Sequence, residues 1–98
     1  MAKVYVGLNM FSLVQDIIFI GDNEQPKYMA NAPTDKLGEL VSNLAINNNV
    51  EEIDIDGNPL FAQQVIYDIQ NILTTQYDKR NVRINLNGKI FNQWRNHL

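Results

Sequence analysis

The chain contains no cysteine, which excludes disulfides, thiolate nucleophiles and cysteine-ligated zinc or iron–sulfur sites. Its one histidine, His97, lies one residue from the C-terminus. That scarcity argues against a serine–histidine–acid triad and against a multi-histidine metal centre. There is no phosphate-loop motif with its lysine, and no glycine triplet to bring a backbone up to a dinucleotide. No apolar stretch approaches the roughly 18 residues needed to cross a bilayer. Met1–Tyr5 also lacks the apolar run and small-residue cleavage site of a signal peptide. These absences lead us to expect a soluble, cytoplasmic protein with no membrane partner.

The remaining composition is that of an ordinary globular chain. With 98 residues, 45 % of them apolar, it reads as a single domain, 1–98, and not as a disordered chain. The core is modest, so stability should not exceed roughly 5–10 kcal/mol unless subunits associate. Isoleucine and asparagine are abundant, with Asn47-Asn48-Asn49 in a row. Such usage accompanies A+T-rich genomes and suggests a phage or mobile-element origin. Charge is polarised along the chain. Residues 1–78 hold all 11 acidic side chains against Lys3, Lys27 and Lys36, whereas 79–98 hold Lys79, Arg80, Arg83, Lys89 and Arg95 and no acid. The net charge of −3 conceals a basic C-terminal strand and tail suited to an acidic partner, to phosphate, or to another copy of the chain.

Hydrophobic periodicity gives the order of elements. "KVYVGLN" (3–9) alternates, with Val4, Val6 and Leu8 on one face, and reads as a half-buried strand. "MFSL" turns the chain into "VQDIIFIGD" (14–22), a second strand closed by the turn formers Gly21-Asp22-Asn23. "PKYMANAP" (26–33), bounded by prolines, suits a short edge strand. Thr34 is a natural N-cap for a first helix carrying Leu37, Leu40, Val41 and Leu44, which the asparagine run ends. "VEEIDID" (50–56) alternates again. Asn58 caps a second helix with Pro59 at its first position, and Phe61, Ala62, Val65, Ile66, Ile69, Ile72, Leu73 and Tyr77 form its apolar stripe. "NVRINLNG" (81–88) alternates once more, and "KIFNQWRNHL" closes as a short helix or extended tail.

The order β-β-(β)-α-β-α-β, with right-handed crossovers, predicts a two-layer α/β sandwich. Its sheet is mixed and both main helices lie on one face. One-sided alternation implies a second, open sheet face bearing Tyr5, Asn9, Glu52, Asp54, Asp56, Arg83, Asn85 and Asn87. Residues 17–20 break the alternation, since either Ile17 and Phe19 or Ile18 and Ile20 must face the open side. Cover for that pair would come from Ile90, Phe91 and Trp94 of the tail, or from a second subunit.

The hairpin "VYVGLNMFSLVQDIIFI" resembles the first two strands of the ribonuclease-H-like superfamily, which includes Holliday-junction resolvases and actin-like ATPases. The resemblance covers most of the chain in element order but little in motif. It would imply a magnesium or manganese site at the first strand. There Asn9 stands where the family has aspartate, Ser12 lies in the turn, and "IDID" ends the neighbouring strand. Asparagine is a weaker ligand for a hard cation, and 79–98 offers no further acid. The resemblance therefore points to a degenerate member that kept the scaffold and lost the chemistry.

"EEIDIDGNPL" (51–60) concentrates four carboxylates before a helix start. Asp54 and Asp56, with Asn9, are the candidate metal ligands, at the strand end where open α/β sheets bind ligands. The simpler reading is turn chemistry: Gly57 for a permissive backbone, Asn58 as cap and Pro59 as helix starter. We prefer that reading and assign no catalytic residue. Tyr5 could stack on a base and Arg83, Lys89 and Arg95 meet phosphates, but Glu52, Asp54 and Asp56 on the same face repel nucleic acid. Tyr5, Arg83, Lys89, Phe91, Trp94 and Arg95 are instead candidate interaction residues for a protein partner or for self-association. The expected function is a non-catalytic interaction module with no cofactor. The alternative is a small divalent-metal-dependent phosphodiesterase or nuclease of ribonuclease-H-like type.

Overall fold

Each alternating segment becomes a strand whose apolar parity turns toward the helices. The computed structural model describes residues 1–91 and places β1 at Lys3–Gly7, β2 at Val14–Ile20 and β3 at Lys27–Pro33. A 3-10 turn, Thr34–Lys36, leads into α1 (Leu37–Asn47); β4 (Glu52–Asp56), α2 (Pro59–Tyr77), β5 (Arg83–Leu86) and β6 (Lys89–Ile90) follow. The sheet order is β3-β2-β1-β4-β5-β6. β1, β4 and β5 run parallel, and the outer pairings are antiparallel. The fold is the two-layer α/β sandwich that the alternation implies.

The core lies between the sheet and the two helices. Val4, Val6, Ile17, Ile53, Ile55 and Ile84 from the strands meet Leu37, Val41 and Ala45 of α1 and Ala62, Val65, Ile66, Ile69 and Leu73 of α2, all of them buried. Each fully buried isoleucine or leucine contributes roughly 1.5–3 kcal/mol relative to exposure. α2 starts as its sequence requires, with Asn58 Oδ1 accepting from the N–H groups of Leu60 and Phe61 and Pro59 at the first position. Asp78, left-handed at φ 49°, ends it.

Three local expectations are corrected. Thr34 does not cap α1: the first turn winds as 3-10, α1 begins at Leu37 without a side-chain cap, and the Thr34 hydroxyl accepts from Gln15 Nε2 at 3.1 Å. The chain after residue 88 does not begin as a helix or tail but as β6. Asn87 (φ 50°) and Gly88 (φ 83°) form a two-residue hairpin of the kind that matches strand twist. Residues 17–20 resolve in favour of Ile17 and Phe19 on the helical side, opposite Val6 and Val4, leaving Ile18 and Ile20 on the open face. Ile90 and Phe91 cannot cover them. β6 lies four strands from β2 in the sheet, about 19 Å at the usual spacing. β3 is a full edge strand of 7 residues, and its pairing with β2 skips Met29, a bulge that blunts the exposed edge.

Candidate functional site

Strand register decides which side chains meet on the open face. One cross-strand row runs Ile20, Lys3, Glu52, Arg83, and the next runs Tyr28, Ile18, Tyr5, Asp54, Asn85, Ile90. A third brings Asn31, Asp16, Gly7 and Asp56 side by side. The structure therefore gathers Tyr5, Asp54, Asp56 and Arg83, as the alternation anticipates. Asn9 follows the end of β1 and Asn87 lies in the hairpin turn, so both stand at the rim of the face.

The polar half of the face is a ladder of mutual contacts. Arg83 Nε donates to Glu52 Oε2 at 3.0 Å, Lys3 Nζ to Asp54 Oδ2 at 2.9 Å, and Asn85 Nδ2 to Asp54 Oδ1 at 2.7 Å. Tyr5 donates its hydroxyl to Asp56 Oδ2 at 3.1 Å. Asn31 Nδ2 donates to Asp16 Oδ1 at 2.7 Å, and Tyr28 in turn donates to Asn31 Oδ1. The acids on one strand would otherwise repel at their two-residue spacing. Lys3 and Arg83 neutralise Asp54 and Glu52 across the neighbouring strands. The hydrogen bond from Lys3 to Asp54 raises the Lys3 pKa above its ordinary value despite partial desolvation, and the charges of Asp54 and Glu52 add to it. Partial burial raises that of Tyr5, reinforced by its hydrogen bond to Asp56 and by the charges of Asp56, Asp16 and Asp54.

Beside this ladder lies an apolar strip. Ile18 and Ile20 are half-buried on the open side and Tyr28 is exposed, with the edge strand β3 bounding them. Ile90 ends the same cross-strand row at the far edge and is exposed.

The crevice beyond the carboxyl ends of β1 and β4, where such sheets usually bind ligands, is closed by its own hydrogen bonds. Leu8 N donates to Asp56 O at 2.8 Å, and Asn87 both accepts from Gly57 N and donates to Gly57 O, each at 2.9 Å. Gly57 has to be glycine here, because a Cβ would sit 2.8 Å from that of Leu8. Asn58 takes the first N–H groups of α2. Asn9 Oδ1 accepts from Phe11 N at 2.9 Å, an Asx turn. Asp54 uses both carboxylate oxygens and Asp56 one, so the sequence-predicted ligand set is held by protein contacts. Among the described residues, no group of three or more His, Cys, Asp or Glu is arranged to hold a metal ion.

Lys89 and Phe91 come together with Pro59, Leu86 and Ile90 around an open cleft of about 470 Å³, and the Phe91 ring meets Tyr67 of α2 edge-on at 5.9 Å between centroids. Trp94 and Arg95 lie outside the described residues.

Sequence reading missed the residue that shapes the β1–β2 loop. Gln15 is 1 % exposed; its Oε1 accepts from Asn9 N at 2.6 Å, and its Nε2 donates to Asn9 O, Ser12 O and Thr34 Oγ1 at 3.0–3.1 Å. So held, the loop presents Phe11 and Leu13 almost wholly to solvent. No local signal marks it, because the parity that turns Gln15 inward with Ile17 and Phe19 is set by the pairing of β2 with β1. No helix among the described residues is long and apolar enough to cross a membrane. Compared with family models, curated proteins and solved structures, the chain matches none.

Proposed function

We propose that this protein is a non-catalytic interaction module that binds a protein partner through the open sheet face. One observation carries the reading. The polar groups of the face are paired with one another, and directly beside them runs an apolar strip of half-buried Ile18 and Ile20 and exposed Tyr28. Catalysis needs polar groups left free to meet a substrate, whereas a self-satisfied polar rim around an apolar patch suits association. The ladder also fixes the rotamers of long side chains before binding, which lowers the ordering cost of an interface. A second copy of the chain would meet the same requirements as an unrelated partner. The phage or mobile-element origin suggested by composition would make a host protein the natural candidate.

The test is capture on immobilised full-length chain from its native lysate, with bound protein quantified. A stoichiometric partner is expected, retained by Asp56→Ala and lost with Ile18→Ser or Arg83→Glu. Retention by those two and loss with Asp56→Ala would overturn the reading. The rival is a divalent-metal phosphodiesterase of ribonuclease-H-like type that uses Asp54, Asp56 and Asn9. It is favoured by position alone: Asp56 sits at the end of β4, beside β1 and ahead of α2. Saturable manganese binding by calorimetry, abolished by Asp56→Asn, would bring it forward.

A further inference from the structure

The helical layer carries a second uncovered surface, independent of whatever the open face binds. α1 and α2 approach closely at Gly38, where an added Cβ would lie 2.9 Å from Cβ of Asp68. Beside this crossing lie two adjoining clefts, of about 480 Å³ and 260 Å³, which share Asp35 and Asp68. The larger has an apolar wall of Leu60, Phe61 and Val65, and Leu60 is 83 % exposed. The smaller adds Glu39 and Ile72. Three carboxylates therefore rim one groove, and among the described residues no lysine or arginine lines either cleft.

We infer that this groove docks a basic segment of a partner protein, with one apolar anchor against Leu60 and cationic side chains beside Asp35, Asp68 and Glu39. The carboxylates determine the occupant. Covering them with a neutral apolar surface would desolvate three charges, against one neutral donor, Gln64 Nε2, 3.0 Å from Asp68 Oδ1. An anionic surface, whether nucleic acid or acidic lipid, would add repulsion. A small polyamine would satisfy the acids and leave the exposed Leu60 and the half-buried Phe61 uncovered. Only a chain with both characters matches both halves. Leu60 and Asp68 are separated by about 12 Å along α2 at the helical rise. An extended occupant places its first cation about three or four residues from its anchor.

The probe is a fluorescein-labelled amphipathic Lys/Leu peptide, with a Glu/Leu peptide of the same pattern as control, followed by anisotropy on the full chain. Saturable binding of the Lys/Leu peptide is expected, weakening as salt rises. Asp68→Asn and Leu60→Ser should each weaken it, the first by roughly tenfold. Asp35→Asn serves as a second charge variant, with circular dichroism verifying the fold of each. Failure to bind, equal affinity for both peptides, or wild-type affinity in both Asp68→Asn and Leu60→Ser would overturn the inference. Loss of binding in Ile18→Ser alone would assign the peptide to the open sheet face and overturn it as well. A concentration-dependent dimer in light scattering, dissolved by Asp68→Asn, would replace the partner with a second copy.

Discussion

Gln15 offers a severe test of how the fold shapes its surface. Replacing it with leucine keeps the volume close and removes every polar contact. The contacts to Asn9 N, Asn9 O, Ser12 O and Thr34 Oγ1 are lost, and because Nε2 has two hydrogens for three acceptors they amount to about three full hydrogen bonds. At about 1 kcal/mol each, the loss is roughly 3 kcal/mol, because the groups left behind are partly buried. An apolar side chain in the same 1 % exposed site returns about 1–2 kcal/mol. The net destabilisation should be about 1–2 kcal/mol, which in a domain of this size lowers Tm by roughly 4–16 °C. Urea unfolding measures the global change and amide exchange the local one. The Asn9 amide, bonded to Gln15 Oε1 in the native protein, should lose protection beyond the global loss. Thr34→Val removes one of the four contacts and should cost about 1 kcal/mol. An unchanged urea midpoint together with unchanged Asn9 protection in Gln15→Leu would refute the view that this side chain holds the loop.

Gly38→Ala gains up to about 1 kcal/mol of helix propensity, but its Cβ meets Cβ of Asp68 at 2.9 Å, and overpacking costs about 1–3 kcal/mol. A net loss of about 1 kcal/mol is expected in urea, and a gain would mean that the helices separate freely. Ser42 is fully buried in α1 and its hydroxyl has no hydrogen-bond partner among the described residues. Ser42→Ala should therefore stabilise by about 1 kcal/mol, read as a higher Tm. Both open-face shifts act in the same direction with pH. Folding raises the Lys3 and Tyr5 pKa values, so the folded state holds both protons more tightly. Their contribution is complete below the unfolded values near 10 and falls as pH rises beyond them. Thermal melts should show stability declining above about pH 10, less steeply in the Lys3→Met, Tyr5→Phe double variant.

Most of the architecture was legible because short-range rules governed it. Val4/Val6, Ile53/Ile55 and Ile84 carry the two-residue period of one-sided strands, and Asn58-Pro59 states a helix start in chemistry that needs no tertiary partner. The Asn87-Gly88 hairpin is equally local, since Asn-Gly between alternating strands favours a two-residue turn. Thr34 was misread for a different reason. Its hydroxyl can cap a helix or accept from a distant side chain, and only the approach of Gln15 decides between them. Ile17–Ile20 is the same kind of case, because four apolar residues have no parity until β1 sets their register.

The sequence by itself determined the elements, their order, the buried parity of the regular strands and the charges available, because spacing along the chain dictates each of these. Only the tertiary structure decided that Asp54 meets Lys3 and Asn85, that Asp56 meets Tyr5, and that Asp35, Glu39 and Asp68 rim one groove. Apart from Asp35 and Glu39, those neighbours are distant in sequence. Their proximity follows from strand register and from a helix crossing that depends on the absence of one methyl group at Gly38.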